Sequence, residues 1–264
     1  NGVSRPKRIT ILGQELAGEV ESVGKDVTRF KEGDQVFGVT GFSFGAYAEY
    51  ITLSEDETIT LKPKNMTYEE AAAVPVGGLN ALHFLRKVDI KSGQNVLING
   101  AGGSIGTIAV QLAKSSSAEV TAVDSTVKLD MLRSIGADHV IDYTQDDFTK
   151  SGKKYDVIFD VVGKASLSGS IRSLEQNGTY LLGNPSFSRN LRGKFLSATS
   201  SKKVIDGTAS YGVEDLIFLK ELAEDGKIRS VIDKGYQLGR IAEAHRYVET
   251  GEKIGNVVVR IEMN

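Results

Sequence analysis

The stretch Asn95–Gly106, NVLINGAGGSIG, decides how this chain is read. Its apolar run Val96–Ile98 reads as a buried strand. The run breaks into Gly100, Gly102, Gly103 and Gly106, and a helical pattern, TIAVQLAKS, follows with Ile108, Leu112 and Ala113 on one face. A strand, a glycine-rich turn and a helix N-terminus in that order make a cradle for a pyrophosphate. The glycines let the backbone come close, and the helix end presents N–H groups with a partial positive charge. A glycine motif alone is weak, but here the context is right on both sides. Gly102, Gly103, Ser104 and Ile105 are the candidate phosphate-contacting residues.

Working outward from the turn, Glu119–Asp124 (EVTAVD) reads as a second strand, about 20 residues after the glycines, where an acidic residue meets the ribose 2′-OH in dinucleotide-binding units. A helix pattern over Lys128–Ile135 follows. His139–Tyr143, Tyr155–Val162 and Thr179–Gly183 supply three more strands. Near-continuous apolar strands alternating with helices predict an α/β fold with a doubly wound parallel sheet covered on both faces. Val162-Gly163 and Gly183-Asn184 end the fourth and fifth strands, at the carboxyl edge where ligands bind in such sheets.

The rest of the chain has a different texture. GEVESVG, GDQVFGV, AYAEYITL and TITLKP, within residues 9–61, read as antiparallel strands. Thr67–Val88 reads as helical, with Thr67 as N-cap and Glu70 at the capping-box position. Val74-Pro75 is expected to end its first part, and Gly77-Gly78 to loosen the continuation. The tail supplies a strand from Ile232, a helix over Arg240–Glu249 and a last strand, NVVVRI. The two ends of the chain thus contribute to one mostly β region.

Bulk properties exclude several classes. At 264 residues with a net charge of −2, the chain has no basic excess to hold nucleic acid by its phosphates. No apolar run reaches membrane-spanning length, and the opening residues do not read as a signal peptide. Cysteine is absent, which removes disulfides, thiolate metal ligands and a thiol nucleophile. A cytoplasmic location is the default expectation.

The segments ILGQELAGEVESVGKDVTRFKEGDQVFG, AAAVPVGGLNALHFL, VLINGAGGSIGTIAVQLAK, RSIGADHVIDY, YDVIFDVVG and IAEAHRYVETGEKIGNVVV run from residue 11 to residue 260. In that order they resemble the medium-chain dehydrogenase/reductase superfamily, and within it the zinc-independent quinone oxidoreductase and enoyl reductase branch. The resemblance implies a Rossmann sheet over residues 90–231 and a partial GroES-like β domain from residues 1–89 and 232–264. The active site is then expected in the cleft between them, near Asn80, Gly163 and Asn184. Relatives carry further residues ahead of the ILGxExAGEV segment. The chain is therefore expected to begin mid-domain by family standards, and no catalytic residue is named.

The resemblance also speaks to the metal. Zinc-dependent relatives place a histidine in a GHE motif, where this chain reads Gly13-Gln14-Glu15, and their structural zinc lobe needs four cysteines. Glutamine is a poor zinc ligand, and His83, His139 and His245 share no ligand-like spacing. No metal is expected. Without one, a conjugated enone or a quinone is the better hydride acceptor, because it is already an electron sink.

The implied cofactor is NADPH, with NADH as the alternative. Asp124 argues for NAD, since a carboxylate repels a 2′-phosphate. Ser125 and Lys128 stand where quinone reductase relatives hold that phosphate, Lys128 being equally readable as a solvated helix lysine. Tyr143 stands where relatives contact the adenosine end. Asn80 stands where they often have a threonine at the nicotinamide, and Asn256 where they often have lysine; Tyr143 and Asn256 are as readily structural. Tyr47 and Tyr50 read as β-domain packing. The expected activity is hydride transfer to a small-molecule quinone or α,β-unsaturated carbonyl. An enoyl-thioester reductase, and a non-catalytic NADPH-binding or structural protein, stand as alternatives. A homodimer is expected, paired through Lys194–Thr199 (KFLSAT).

Overall fold

A computed structural model describes residues 11–183 and 201–261; Asn184 and Lys194–Thr199 lie outside the described residues. The chain divides into two compact units, one made of Asn1–Val76 with Gly212–Asn264, the other Gly77–Tyr211.

The first unit opens on an antiparallel sheet, β1 (Glu15–Glu19), β2 (Gln35–Val39) and β3 (Ile59–Leu61), in the order β1-β2-β3. Val36, Phe37 and Val39 are buried. The expected strand over AYAEYITL does not form. Residues 46–53 carry bends and no strand; Ala46 and Tyr47 donate to the carbonyls of Gly13 and Leu12 before the chain turns away. Tyr50 and Ile51 are exposed, so the alternation there buries no face.

Helix α1 (Tyr68–Ala72) starts on the predicted capping box. Thr67 Oγ1 accepts from Glu70 N at 3.2 Å, and the Glu70 carboxylate accepts from Thr67 N at 2.8 Å. The helix ends ahead of Pro75 as expected. A new helix, α2 (Pro75–Leu85), then runs straight through Gly77-Gly78, which the sequence reading treated as a weak point. A Cβ on Gly77 would lie 2.7 Å from the Ser104 carbonyl oxygen. Glycine is required there for close packing, and packing outweighs the propensity penalty of roughly 1 kcal/mol.

The second unit is a six-stranded parallel sheet made of β4 (Asn95–Asn99), β5 (Glu119–Asp124), β6 (His139–Asp142), β7 (Tyr155–Asp160), β8 (Leu174–Leu182) and β9 (Lys203–Asp206). Their order is β6-β5-β4-β7-β8-β9. The chain starts at β4, builds outward to β6, then returns to lay β7 on the other side of β4. The reversal between β4 and β7 is the topological switch point, where open α/β sheets bind ligands. Helices α3 (Ser104–Ser115), α4 (Leu129–Ser134) and α5 (Leu167–Arg172) make the crossovers. Val96, Leu97, Ile98, Ile158 and Phe159 are buried without exposure, which is why these strands read as apolar runs.

After residue 211 the chain returns to the first unit with α6 (Val213–Glu224), β10 (Ile232–Gln237), α7 (Ile241–Glu249) and β11 (Asn256–Arg260). Strands β10 and β11 pair in parallel, a sheet distinct from β1–β3. Ser230 Oγ donates to the Glu70 carbonyl, and Arg260 Nε reaches Glu69 at 3.1 Å. These contacts join the tail to α1. Among the described residues no helix is long and apolar enough to cross a membrane.

Candidate functional site

The glycine turn lies at the switch point. Gly100 leaves β4 in the left-handed region, φ +84°, and its N–H and that of Ala101 donate to the Val123 carbonyl. Gly106 is needed for packing, since a Cβ there would run into the Gly100 carbonyl oxygen and lie 2.5 Å from Ala101 Cα. Gly103 is different. It is the N-cap of α3 with extended backbone, φ −95° and ψ −179°, and no side chain caps the helix. A Cβ on Gly103 would meet only the Gly100 oxygen, at an ordinary 3.8 Å. The protein itself does not demand glycine there. The missing side chain leaves open the space in front of this uncapped twelve-residue helix, and helix N-termini in general bind anions.

The corner expected to meet the ribose 2′ position takes a form that spacing alone did not show. The Asp124 carboxylate turns inward. Its Oδ2 accepts from Gly102 N at 2.7 Å, and its Oδ1 accepts from Ser125 N at 2.9 Å. Lys128 Nζ lies 3.3 Å from Oδ1. Lys128 is only 7% exposed, so the solvated-lysine alternative does not hold. A Cβ on Gly102 would sit 2.5 Å from Lys128 Cδ and 2.9 Å from Asp124 Oδ2; glycine makes room for this ion pair. Alongside, the Thr126 and Thr144 hydroxyls donate to Asp142 and hold its carboxyl below the usual carboxylate range. Tyr143 N donates to the Asp124 carbonyl, and Tyr143 is 61% exposed.

At the carboxyl ends of β4, β7 and β8, Asp160 gathers three donors. Its Oδ1 accepts from Asn99 Nδ2 at 2.9 Å and Gly163 N at 2.8 Å, and its Oδ2 accepts from the Tyr180 hydroxyl at 2.5 Å. Gly163 is left-handed, φ +68°, and Val162 packs over Gly100, its Cγ1 2.6 Å from where a Cβ would stand. The structure thus brings Gly102, Gly103, Ser104, Ile105, Asp124, Ser125, Lys128, Tyr143 and Gly163 to one edge of one sheet. Asn80 lies on α2, whose Gly77 packs on Ser104. Asp160 and Asn99 were not singled out from sequence; the signal was an acidic residue ending the apolar run YDVIFD.

In the first unit, Gln14 Nε2 donates to the Gly41 carbonyl at 2.8 Å. Glu15 accepts from Val76 N at 2.8 Å in the first turn of α2. Burial pushes its pKa up to about 7, against the opposing pull of that N–H and of Lys253. Tyr47, edge-on to His245 with centroids 5.8 Å apart, is raised by burial and then by Glu15. Asn256 opens β11 with its Nδ2 donating to the Val231 carbonyl at 3.1 Å. His83 contacts Ser210 and His139 contacts Glu119. Among the described residues no group of three or more His, Asp or Glu stands together as a metal site.

Sheet order, glycine turn and uncapped helix define a dinucleotide-binding dehydrogenase fold. Residues 1–64 match the alcohol dehydrogenase GroES-like domain family, and residues 135–259 match the zinc-binding dehydrogenase family. A chloroplastic quinone-oxidoreductase of Triphysaria versicolor is 34% identical over 98% of this chain and 83% of its own length. A chloroplastic NADPH-dependent alkenal/one oxidoreductase of Arabidopsis thaliana is 34% identical over 95% of the chain, which spans 64% of that relative's length. The solved quinone oxidoreductase of Coxiella burnetii superposes with a TM-score of 0.86 at 30% identity, covering 95% of this chain and 79% of that one. The chain belongs to the medium-chain dehydrogenase/reductase superfamily, in its quinone oxidoreductase and alkenal/one reductase branch.

Proposed function

We propose that this protein transfers hydride from NADPH to a quinone or an α,β-unsaturated carbonyl without a metal. The observation that carries the reading is the open space at Gly103 before the uncapped N-terminus of α3, at the switch point of the parallel sheet. A bound nicotinamide supplies the hydride. The chain's own residues bind and orient. The first-turn amides of α3 hold the pyrophosphate, the Asp124–Lys128 corner meets the ribose 2′ position, and the Tyr143 ring covers the base. Asn80 and Gly163 belong to the nicotinamide end.

NADPH is preferred over NADH in this reading. Lys128 is positioned beside Asp124, and a 2′-phosphate can recruit its ammonium. The Arabidopsis relative is named as NADPH-dependent. The small-molecule substrates and a homodimer complete the proposal. The test is NADPH oxidation followed against a panel of quinones and enones. Turnover is expected with NADPH and, more weakly, with NADH. Tight NADPH binding with no turnover on any acceptor would replace the enzyme by a non-catalytic cofactor-binding protein.

A further inference from the structure

Asp160 stands out because its contacts link the two loops that face each other at the switch point. Asn99 immediately precedes Gly100, where the glycine turn begins, and its Nδ2 donates to Asp160 Oδ1. Gly163 ends the turn that follows β7, and its N–H donates to the same oxygen. The Tyr180 hydroxyl, from the next strand, donates to the other oxygen. Backbone bonds run in parallel: Val161 N donates to the Asn99 carbonyl, and Gly183 N to the Asp160 carbonyl. Asp160 has no exposure. One carboxylate therefore joins the ends of three adjacent strands and holds Val162 over Gly100.

We infer that Asp160 is a positioning residue for the dinucleotide, a buried staple that sets the width of the crevice between the Gly100–Gly103 turn and the Val161–Gly163 turn. The inference rests on the cofactor reading above. A carboxylate suits the role because it accepts several hydrogen bonds and donates none. Without it, two buried donors and one half-buried donor lose this shared acceptor, and both turns lose their common anchor. Asparagine keeps the shape. Its carbonyl oxygen can accept from Asn99 and Gly163, while its amide donates to a Tyr180 hydroxyl that rotates to accept.

The experiment measures NADPH dissociation constants by fluorescence on the intact chain, beside thermal unfolding, with kcat and KM for NADPH against a benzoquinone. The variants are Asp160→Ala, Asp160→Asn and Leu132→Ala. Leu132 is fully buried on α4 and makes none of these contacts, so its truncation loosens the same unit without touching Asp160. Asp160→Ala is expected to raise the dissociation constant and KM for NADPH by about tenfold, while Asp160→Asn stays within about threefold of wild type. Leu132→Ala is expected to lower the melting temperature without moving either constant. Should Asp160→Ala fail to fold, Asn99→Ala removes the opposite leg of the staple and carries the same expectation. A folded Asp160→Ala or Asn99→Ala protein that binds NADPH as wild type does overturns the inference alone. So does a Leu132→Ala protein that loses as much affinity. Wild-type protein that binds neither NADPH nor NADH removes the cofactor reading, and this inference with it.

Discussion

Glu15 shows how one side chain couples burial to pH. Its pKa rises from 4.5 to about 7 because burial disfavours the charged form more than Val76 N–H and Lys253 favour it. The folded state therefore keeps a proton that the unfolded chain loses. The stabilisation is fully present below about pH 4.5 and is lost as pH rises through about 7, at most about 3 kcal/mol in all. Urea unfolding across that window should show wild-type stability losing this contribution with rising pH, and Glu15→Gln should flatten that part of the slope. An unchanged slope in the glutamine variant would place the titration elsewhere. Asp124 is the second residue to test. Asp124→Ser removes a carboxylate from the proposed 2′ site and from beside Lys128, so the affinity ratio of NADPH to NADH should rise. The same change takes the acceptor from Gly102 N and the carboxylate from beside the buried Lys128 ammonium, a loss of about 3 kcal/mol. A ratio that does not move would place the 2′ group away from Asp124 and Lys128.

At the scale of elements, the first turn of α3 separates two uses of glycine. Gly106→Ala forces a Cβ against the Gly100 carbonyl and Ala101, and should destabilise the fold by about 1–3 kcal/mol through overpacking. Gly103→Val puts its side chain into the open cradle, at a backbone conformation valine readily adopts. Thermal stability should change little while NADPH affinity falls by about tenfold or more. Gly103→Val protein that binds NADPH as wild type does would show that the helix end is not the pyrophosphate site. The capping box of α1 offers a smaller check. Thr67→Ala should cost about 1 kcal/mol in chemical unfolding, with cofactor affinity unchanged.

For the whole molecule, the metal-free proposal makes one prediction of its own. Gln14 stands where zinc-dependent relatives place histidine, and its side-chain amide holds the Gly41 carbonyl. Prolonged dialysis against a chelator should leave turnover unaltered. Activity that disappears and then returns with added zinc would end the metal-free reading.

Much of the architecture was legible from sequence, for a physical reason. Parallel strands buried on both faces must be continuous apolar runs, and a backbone that approaches phosphate must lack side chains. Those demands act locally, so VLIN, EVTAVD and YDVIFD located β4, β5 and β7, and GAGGSIG located the turn. The Thr67–Glu70 cap is local in the same sense. Tertiary structure decided what depends on distant partners. Gly77 is kept within the helix because Ser104 packs against it and leaves no room for a Cβ. The 46–53 segment forms no strand, its Ala46 and Tyr47 amides being held by the distant Gly13 and Leu12 carbonyls. Asp124 turns inward because Gly102, 22 positions away, offers an N–H. Asp160 becomes a staple because parallel pairing brings Asn99, 61 positions away, alongside it. Hydrogen-bond partners of that kind are set by the register of neighbouring strands, and no stretch of sequence carries that register by itself.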